Sequence, residues 1–352
     1  MKRGGPFSGR LCYDTLMDKR IEWIDALRGS AMWLVVLGHT FLDRSHPVRN
    51  YVYSFHMPLF FFISGLTYKR TEISFLKFLK KKAKAFLLPY LAINIFVAII
   101  KYILHFTTNL YANLSVKSMV SGMLTGDGEN APCIQSWFLL TLFLTEIIFY
   151  CLDRLLRSET GLFIASVIVA ALGWVYSKVW CFGPLWWHLD VAFLAVLFFW
   201  FGYFFKNNLV DKIEQLSMVW KWGLCVVAFI IGAILSTING KVSMNGSYYG
   251  RIYFFLLAAF CSILGFTFLS MAVLSKSRFI NTVGRNTMFY LGYHAFFTTI
   301  FKTFFPMLCR VWYLTIPVSI VCLFLVYFPA KYGTKYVPIL VGKWWPSSEI
   351  GE

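Results

Sequence analysis

The sequence predicts an all-α, polytopic membrane protein with about ten transmembrane helices, and three observations predict it. Of its 352 residues, 59% are hydrophobic and only 14% are charged, against about 25% charged in ordinary soluble chains. Apolar runs close to twenty residues long recur from end to end, the length a helix needs to cross a hydrocarbon layer of about 30 Å. Lysine and arginine crowd into alternate connections, the asymmetry that orients membrane helices.

The first predicted span, 22–41, follows Lys19-Arg20 and ends just past His39. Span two, 51–68, carries Pro58 and the Ser64-Gly65 pair, and span three, 83–104, follows the lysine run Lys80–Lys84 and contains Pro89. Prolines and small residues of this kind break helix regularity and let a cavity form inside a bundle. Spans 135–153 and 161–179 come next, then 186–205, which opens on Trp186-Trp187, an interfacial pair. Spans 218–238, 252–274, 287–305 and 311–330 complete the set. The longest connection, about 105–134, holds Gly122, Gly126, Asp127, Gly128 and Pro132 and reads as a substrate- or partner-facing loop with a short helix.

Ten spans place both termini on one side, and the charge distribution makes that side cytoplasmic. On this reading the inner segments collect roughly two thirds of the 33 Lys and Arg residues. The division is a cytoplasmic segment 1–20, a transmembrane domain 21–330 and a cytoplasmic tail 331–352. Residues 1–20 lack the apolar stretch of a cleavable signal, and Met17 could itself be a start. The net charge of +17 suits anionic membrane lipids or a phosphorylated ligand at the inner surface and gives no reason to expect nucleic acid. The eight cysteines follow no metal spacing, so no metal site is expected. Nothing in the sequence sets the oligomeric state.

Polar residues inside the spans carry the functional signal, because ionisable groups in a bilayer are costly. Ten residues separate Arg28 from His39 in the first span. At about 100° per residue that step brings both side chains to nearly one face, roughly 16 Å apart along the axis. Asp25, one turn before Arg28, shares the face and can pair with it. His56, in the second span, is expected near the depth of His39. His188 and Asp190, at the end of the sixth span, belong to the same outer level, whereas Glu146 and His294 fall deeper.

A neutral imidazole in an apolar cavity is a general base near pH 7. It can take the proton of a hydroxyl that attacks an activated acyl group. Arg28, with Lys82 and Lys84 below it, suits a phosphorylated donor entering from the cytoplasm. The 16 Å step is comparable with an extended pantetheine arm, which points to acyl-CoA as donor. A proton-coupled transporter or flippase for a lipid-linked sugar is the alternative, with His39, Glu146 and His294 as a relay. The absence of inverted repeats weighs against it.

At these residues the chain resembles the acyltransferase 3 family of integral membrane proteins, in particular its fucose 4-O-acetylase-like branch. The resemblance runs through Ile24-Asp25-Ala-Leu-Arg28-Gly29, Val-Leu-Gly-His39 and Phe55-His56-Met-Pro-Leu-Phe-Phe61-Phe-Ile-Ser64-Gly65. It continues through Trp137-Phe-Leu with Glu146, Trp187-His-Leu-Asp190, and Gly284-Arg-Asn-Thr287 leading to Tyr290 and His294. It implies an O-acetyltransferase of a cell membrane, such as a bacterial inner membrane, that moves an acetyl group from acetyl-CoA to a carbohydrate or glycolipid acceptor. His39, His56 and Glu146 are then the catalytic candidates. Arg28, Asp25, Ser64, Lys82, Lys84 and Arg285 are the donor-binding candidates, and His188, Asp190 and His294 face the acceptor. Where family members carry Arg-x-x-Arg before the proline matching Pro89, this chain has Lys80–Lys84, which keeps the charge without the bidentate fork.

Overall fold

The computed structural model describes residues 22–108, 115–179 and 185–342. The expected N-terminal segment 1–20 and the last ten residues of the expected tail lie outside them. The described residues form fourteen α-helices: α1 (Glu22–Thr40), α2 (Pro47–Thr67), α3 (Phe75–Thr108), α4 (Val116–Thr125), α5 (Trp137–Leu156), α6 (Glu159–Val179), α7 (Leu189–Asn208), α8 (Val210–Glu214), α9 (Met218–Asn239), α10 (Ile252–Ala272), α11 (Arg278–Arg285), α12 (Thr287–Phe304), α13 (Pro306–Arg310) and α14 (Trp312–Tyr336).

Ten of these helices have 18 residues or more, and each coincides with a predicted span. Six are long and apolar enough to cross a membrane: α3, α6, α7, α9, α10 and α14. The protein is a multi-pass membrane protein. The other four long helices, α1, α2, α5 and α12, are those that carry Arg28, His56, Glu146 and His294. Their polar residues lower their hydropathy, and packing inside the bundle compensates.

Helix α1 is the axis of the bundle, packed against α2, α10, α11, α12 and α14. Nearly all of its side chains are buried, Asp25 among them. At the other extreme, only 17% of the most apolar stretch of α9 is buried, so α9 forms part of the outer shell. A long apolar face left uncovered by protein is the face expected to meet lipid.

Two crossings depend on glycine. Gly65 on α2 lies against the Phe199 carbonyl of α7, while Gly202 of α7 lies against the Phe62 carbonyl of α2. Gly29 and Gly284 repeat the arrangement between α1 and α11, with Gly284 on the Asp25 carbonyl and Gly29 on that of Ile280. Small residues at such crossings let backbones approach closely, which drives helix association where no hydrophobic effect operates.

Two boundaries differ from expectation. Helix α3 begins at Phe75, so Lys77, Lys80, Lys81, Lys82 and Lys84 lie on a helix and not in a loop. Lysine is a good helix former, and a 34-residue helix of about 51 Å outruns the bilayer, leaving its first turns free to be charged. Helix α14 continues to Tyr336, beyond the expected end at 330. Its last turns bring Lys331, Tyr332, Lys335 and Tyr336, interfacial residues that suit a helix C-terminus.

Gly65→Ala is expected to lower stability by about 1–3 kcal/mol through overpacking, read as a fall in thermal midpoint in detergent. Gly223→Ala is the control, because nothing lies within 4 Å of the added methyl. It should be neutral or stabilising by up to about 1 kcal/mol.

Candidate active site

The site is built along α1. Near its start, the buried carboxylate of Asp25 holds two guanidiniums. Its Oδ1 lies 3.7 Å from Arg28, one turn on, and its Oδ2 accepts from Arg285 Nε of α11 at 3.1 Å. Both arginines, but not Asp25, line a cavity of about 250 Å³ with Ser64, Thr67, Phe86, Glu146 and Thr287 among its walls. Among the described residues, one carboxylate thus meets two guanidiniums beside the cavity.

Glu146 of α5 forms an ion pair with Lys82 of α3 at the same cavity. Ser64 also lines it, its hydroxyl donating to the Phe60 carbonyl one turn earlier at 3.0 Å. Lys84 is exposed and does not line the cavity.

Eleven residues after Arg28, His39 lines a second cavity of about 420 Å³. Tyr53 and His56 of α2 share it with Arg44, Arg49, Trp137 and Lys302. His56 Nδ1 lies 2.8 Å from the Val52 carbonyl, and His294 Nδ1 lies 2.6 Å from that of Tyr290. A carbonyl only accepts, so both rings carry the Nδ1 proton and keep a lone pair on Nε2. His294 is fully buried, its Nε2 has no hydrogen-bond partner, and its ring centroid lies 5.3 Å from that of His39. Tyr53 stands between the other two imidazoles, 6.3 Å from His39 and 4.8 Å from His56 between centroids.

The two cavities meet end to end. Val35 of α1, Met57 of α2 and Leu291 of α12 line both. On α1 this apolar collar stands about 10 Å from Arg28 and about 6 Å from His39. A pair of cationic forks and a set of imidazoles thus face each other through three side chains that can neither ionise nor hydrogen-bond.

A third cavity, about 490 Å³, adjoins the second, and Glu129, Asn245 and Gly246 line both. Trp187 and His188 precede α7 in the left-handed backbone region, at φ 58° and 54°. That sparsely populated conformation costs of order 1–3 kcal/mol at such residues and persists where the surroundings hold it. Here they do: His188 Nε2 lies 3.1 Å from the Gly126 carbonyl, and the Trp187 indole donates to the Leu124 carbonyl at 2.8 Å.

The family model for the acyltransferase domain of the acyltransferase 3 family matches residues 21–336. The chain belongs to the acyltransferase 3 family. Among curated proteins none matches the sequence.

Set against this geometry, the sequence expectations divide. The acyltransferase brings Arg28, Arg285, Ser64 and Glu146 to one cavity and His39 and His56 to the other. Glu146, expected with the catalytic imidazoles, lies on the far side of the collar from them, bound to Lys82. His294, expected deep with Glu146 and facing the acceptor, instead backs His39 and lines neither cavity, because α12 runs alongside α1. Asp25 and Asp190 line no described cavity. Asp190 is fully buried, accepting from the Leu185 amide at 3.1 Å and from the Ser247 hydroxyl, and so ties the start of α7 to the 243–248 turn. Lys82 reaches the cavity of Arg28 and Arg285 only through Glu146. Sequence reasoning missed Tyr53, Arg49, Lys302 and the collar. Arg49 and Lys302 were legible as cations near the ends of the second and ninth predicted spans.

A buried ion pair and a proton-transfer group respond differently to paired substitution. Glu146→Gln alone should destabilise the acyltransferase by about 3–5 kcal/mol, the magnitude for breaking a buried pair. Lys82→Met with Glu146→Leu should recover most of that loss in thermal unfolding. Full recovery of stability with no recovery of turnover would assign Glu146 a part in the chemistry.

Proposed function

We propose that this acyltransferase moves an acyl group, acetyl in the first instance, from cytoplasmic acyl-CoA to a hydroxyl of a carbohydrate acceptor reached from the opposite face. The observation that carries this reading is the pair of cavities joined at Val35, Met57 and Leu291. The Arg28 end is taken as cytoplasmic, on the strength of the lysines at the start of α3.

The donor side supports a slender ligand. At about 250 Å³ the cavity is smaller than most pockets that enclose a whole drug-sized molecule, about 300–1,000 Å³. A pantetheine arm fits such a space, and its nucleotide would stay outside. The Arg28–Arg285 pair offers planar forks suited to phosphate oxygens. With the phosphates there, an extended arm of about 16 Å passes the collar and brings the thioester to the level of His39.

On the acceptor side, His39 takes the proton from the attacking hydroxyl as its oxygen bonds to the thioester carbonyl carbon. The carbon–sulfur bond then breaks, and the imidazolium returns the proton to the departing thiolate. His294, behind His39, is a positioning residue, its lone pair available to an N–H of the His39 ring. A carbohydrate suits the lining, which mixes Trp137 with the amides Gln135 and Asn245 and the hydroxyl of Ser243. Asn245 Oδ1 is buried without a partner, an acceptor that a sugar hydroxyl would satisfy. The transporter alternative has no comparable support in a chain of this family.

Sealed vesicles of known orientation, given radiolabelled acetyl-CoA on the cytoplasmic face, test the reading through label in glycan or glycolipid. His39→Ala should lower transfer by about 10²–10⁴-fold, the usual contribution of a general base. Retention of turnover near wild type would remove His39 from that role. Arg28→Ala should raise the donor KM by roughly tenfold or more, as expected for loss of a hydrogen bond to a charged group. No label and no thioester hydrolysis with any acyl-CoA would return the weight to transport.

The collar gives an independent check. Met57→Trp should fill the junction and abolish transfer while acetyl-CoA still binds, measured by equilibrium titration. Unchanged turnover would mean that the acyl group does not pass between these three side chains.

A further inference from the structure

The cavity around His39 continues sideways into a fourth, of about 370 Å³, and Arg44, Arg49, Tyr53 and Ser243 line both. Lys302 lines the first and Lys241 the second. Four cations therefore line these two adjoining cavities, with Glu129 the one carboxylate among their lining residues and Asp127 on the third cavity beyond it. None of the four has an ion-pair partner among the described residues.

One of these cations is held in place and another is half-buried. The Arg49 guanidinium carbon lies 3.8 Å from the Tyr53 ring centroid, stacked over it, and Arg49 Nη1 donates to the Arg44 carbonyl at 2.8 Å. Stacking and one hydrogen bond fix the plane of the guanidinium while leaving other N–H groups for a ligand. Lys302 projects from the last turn of α12, about 12 Å along that helix from His294, and is half-buried. A partly buried ammonium without a carboxylate needs compensation from something that enters the cavity. On the proposed orientation this is also the side that the positive-inside rule depletes of lysine and arginine.

We propose that the acceptor hydroxyl is presented on an anionic glycan, whose carboxylate or phosphate rests between Arg49, Lys302, Arg44 and Lys241 while the hydroxyl reaches His39. The proposal rests on the acyl-transfer reading for its chemistry, but anion recognition is measurable without turnover.

The full chain in nanodiscs of zwitterionic lipid would be titrated with three small probes: methyl glucoside, methyl glucuronide and glucose 1-phosphate. Binding is read by calorimetry or by the shift in thermal midpoint. The acidic probes should bind at least tenfold tighter than the neutral one and weaken with added salt. Preference between the two acids distinguishes a uronic-acid glycan from a phosphate-bearing one. The double substitution Arg49→Gln with Lys302→Gln should remove the preference, and Lys302→Arg should keep it. Equal binding of all three probes, no binding of any, or an acid preference that survives the double substitution would overturn the proposal. So would loss of acid binding on adding phosphatidylglycerol, which would give the cations to lipid headgroups. Selective anion binding without transfer from acetyl-CoA would leave this inference standing and remove the acyl-transfer reading.

Discussion

The interaction on which the site depends is the shared carboxylate of Asp25. It meets Arg28 on its own helix and Arg285 from α11, and both arginines line the smaller cavity. The backbone serves the same junction, since Gly284 rests directly on the Asp25 carbonyl. A buried carboxylate needs a cation or hydrogen bonds to offset its lost hydration, and the two partly exposed guanidiniums supply both for Asp25.

The collar marks a change in wall chemistry. Val35, Met57 and Leu291 line both cavities, with Arg28 and Arg285 on one and the imidazoles of His39 and His56, together with Arg44 and Arg49, on the other. The tautomers follow from ordinary helix chemistry. Each of His56 and His294 donates from Nδ1 to the carbonyl four residues earlier and so points its Nε2 away from its own helix.

Much of this was legible in the sequence. Ten apolar runs gave the long helices to within a few residues, except where lysines and aromatic residues carry α3 and α14 past the hydrocarbon boundary. The Arg28–His39 stripe was legible because both residues lie on one helix, where periodicity alone sets direction. What lay across helices was not. Nothing local in α12 distinguishes His294 as a neighbour of His39, and the collar is made of residues that periodicity reads as ordinary core. Glu146 and Asp190 were placed at different depths, but their partners were not legible. Partners remote in sequence separate them, Lys82 at the donor-side cavity for one and the Leu185 amide with Ser247 for the other.

The division of the bundle into four polar central helices and six apolar ones bears on how it is made. Helices such as α6, α9 and α10 have the composition to partition into lipid one at a time. Helices α1, α2, α5 and α12 do not, and their stripes would be stranded in hydrocarbon before partners arrive. Membrane entry of these helices is favoured when a companion covers the polar face as they insert. A substitution that merely loosens the Gly29–Gly284 or Gly65–Gly202 contact then acts first on biogenesis. Less protein would reach the membrane, and the molecules that did would be assembled normally.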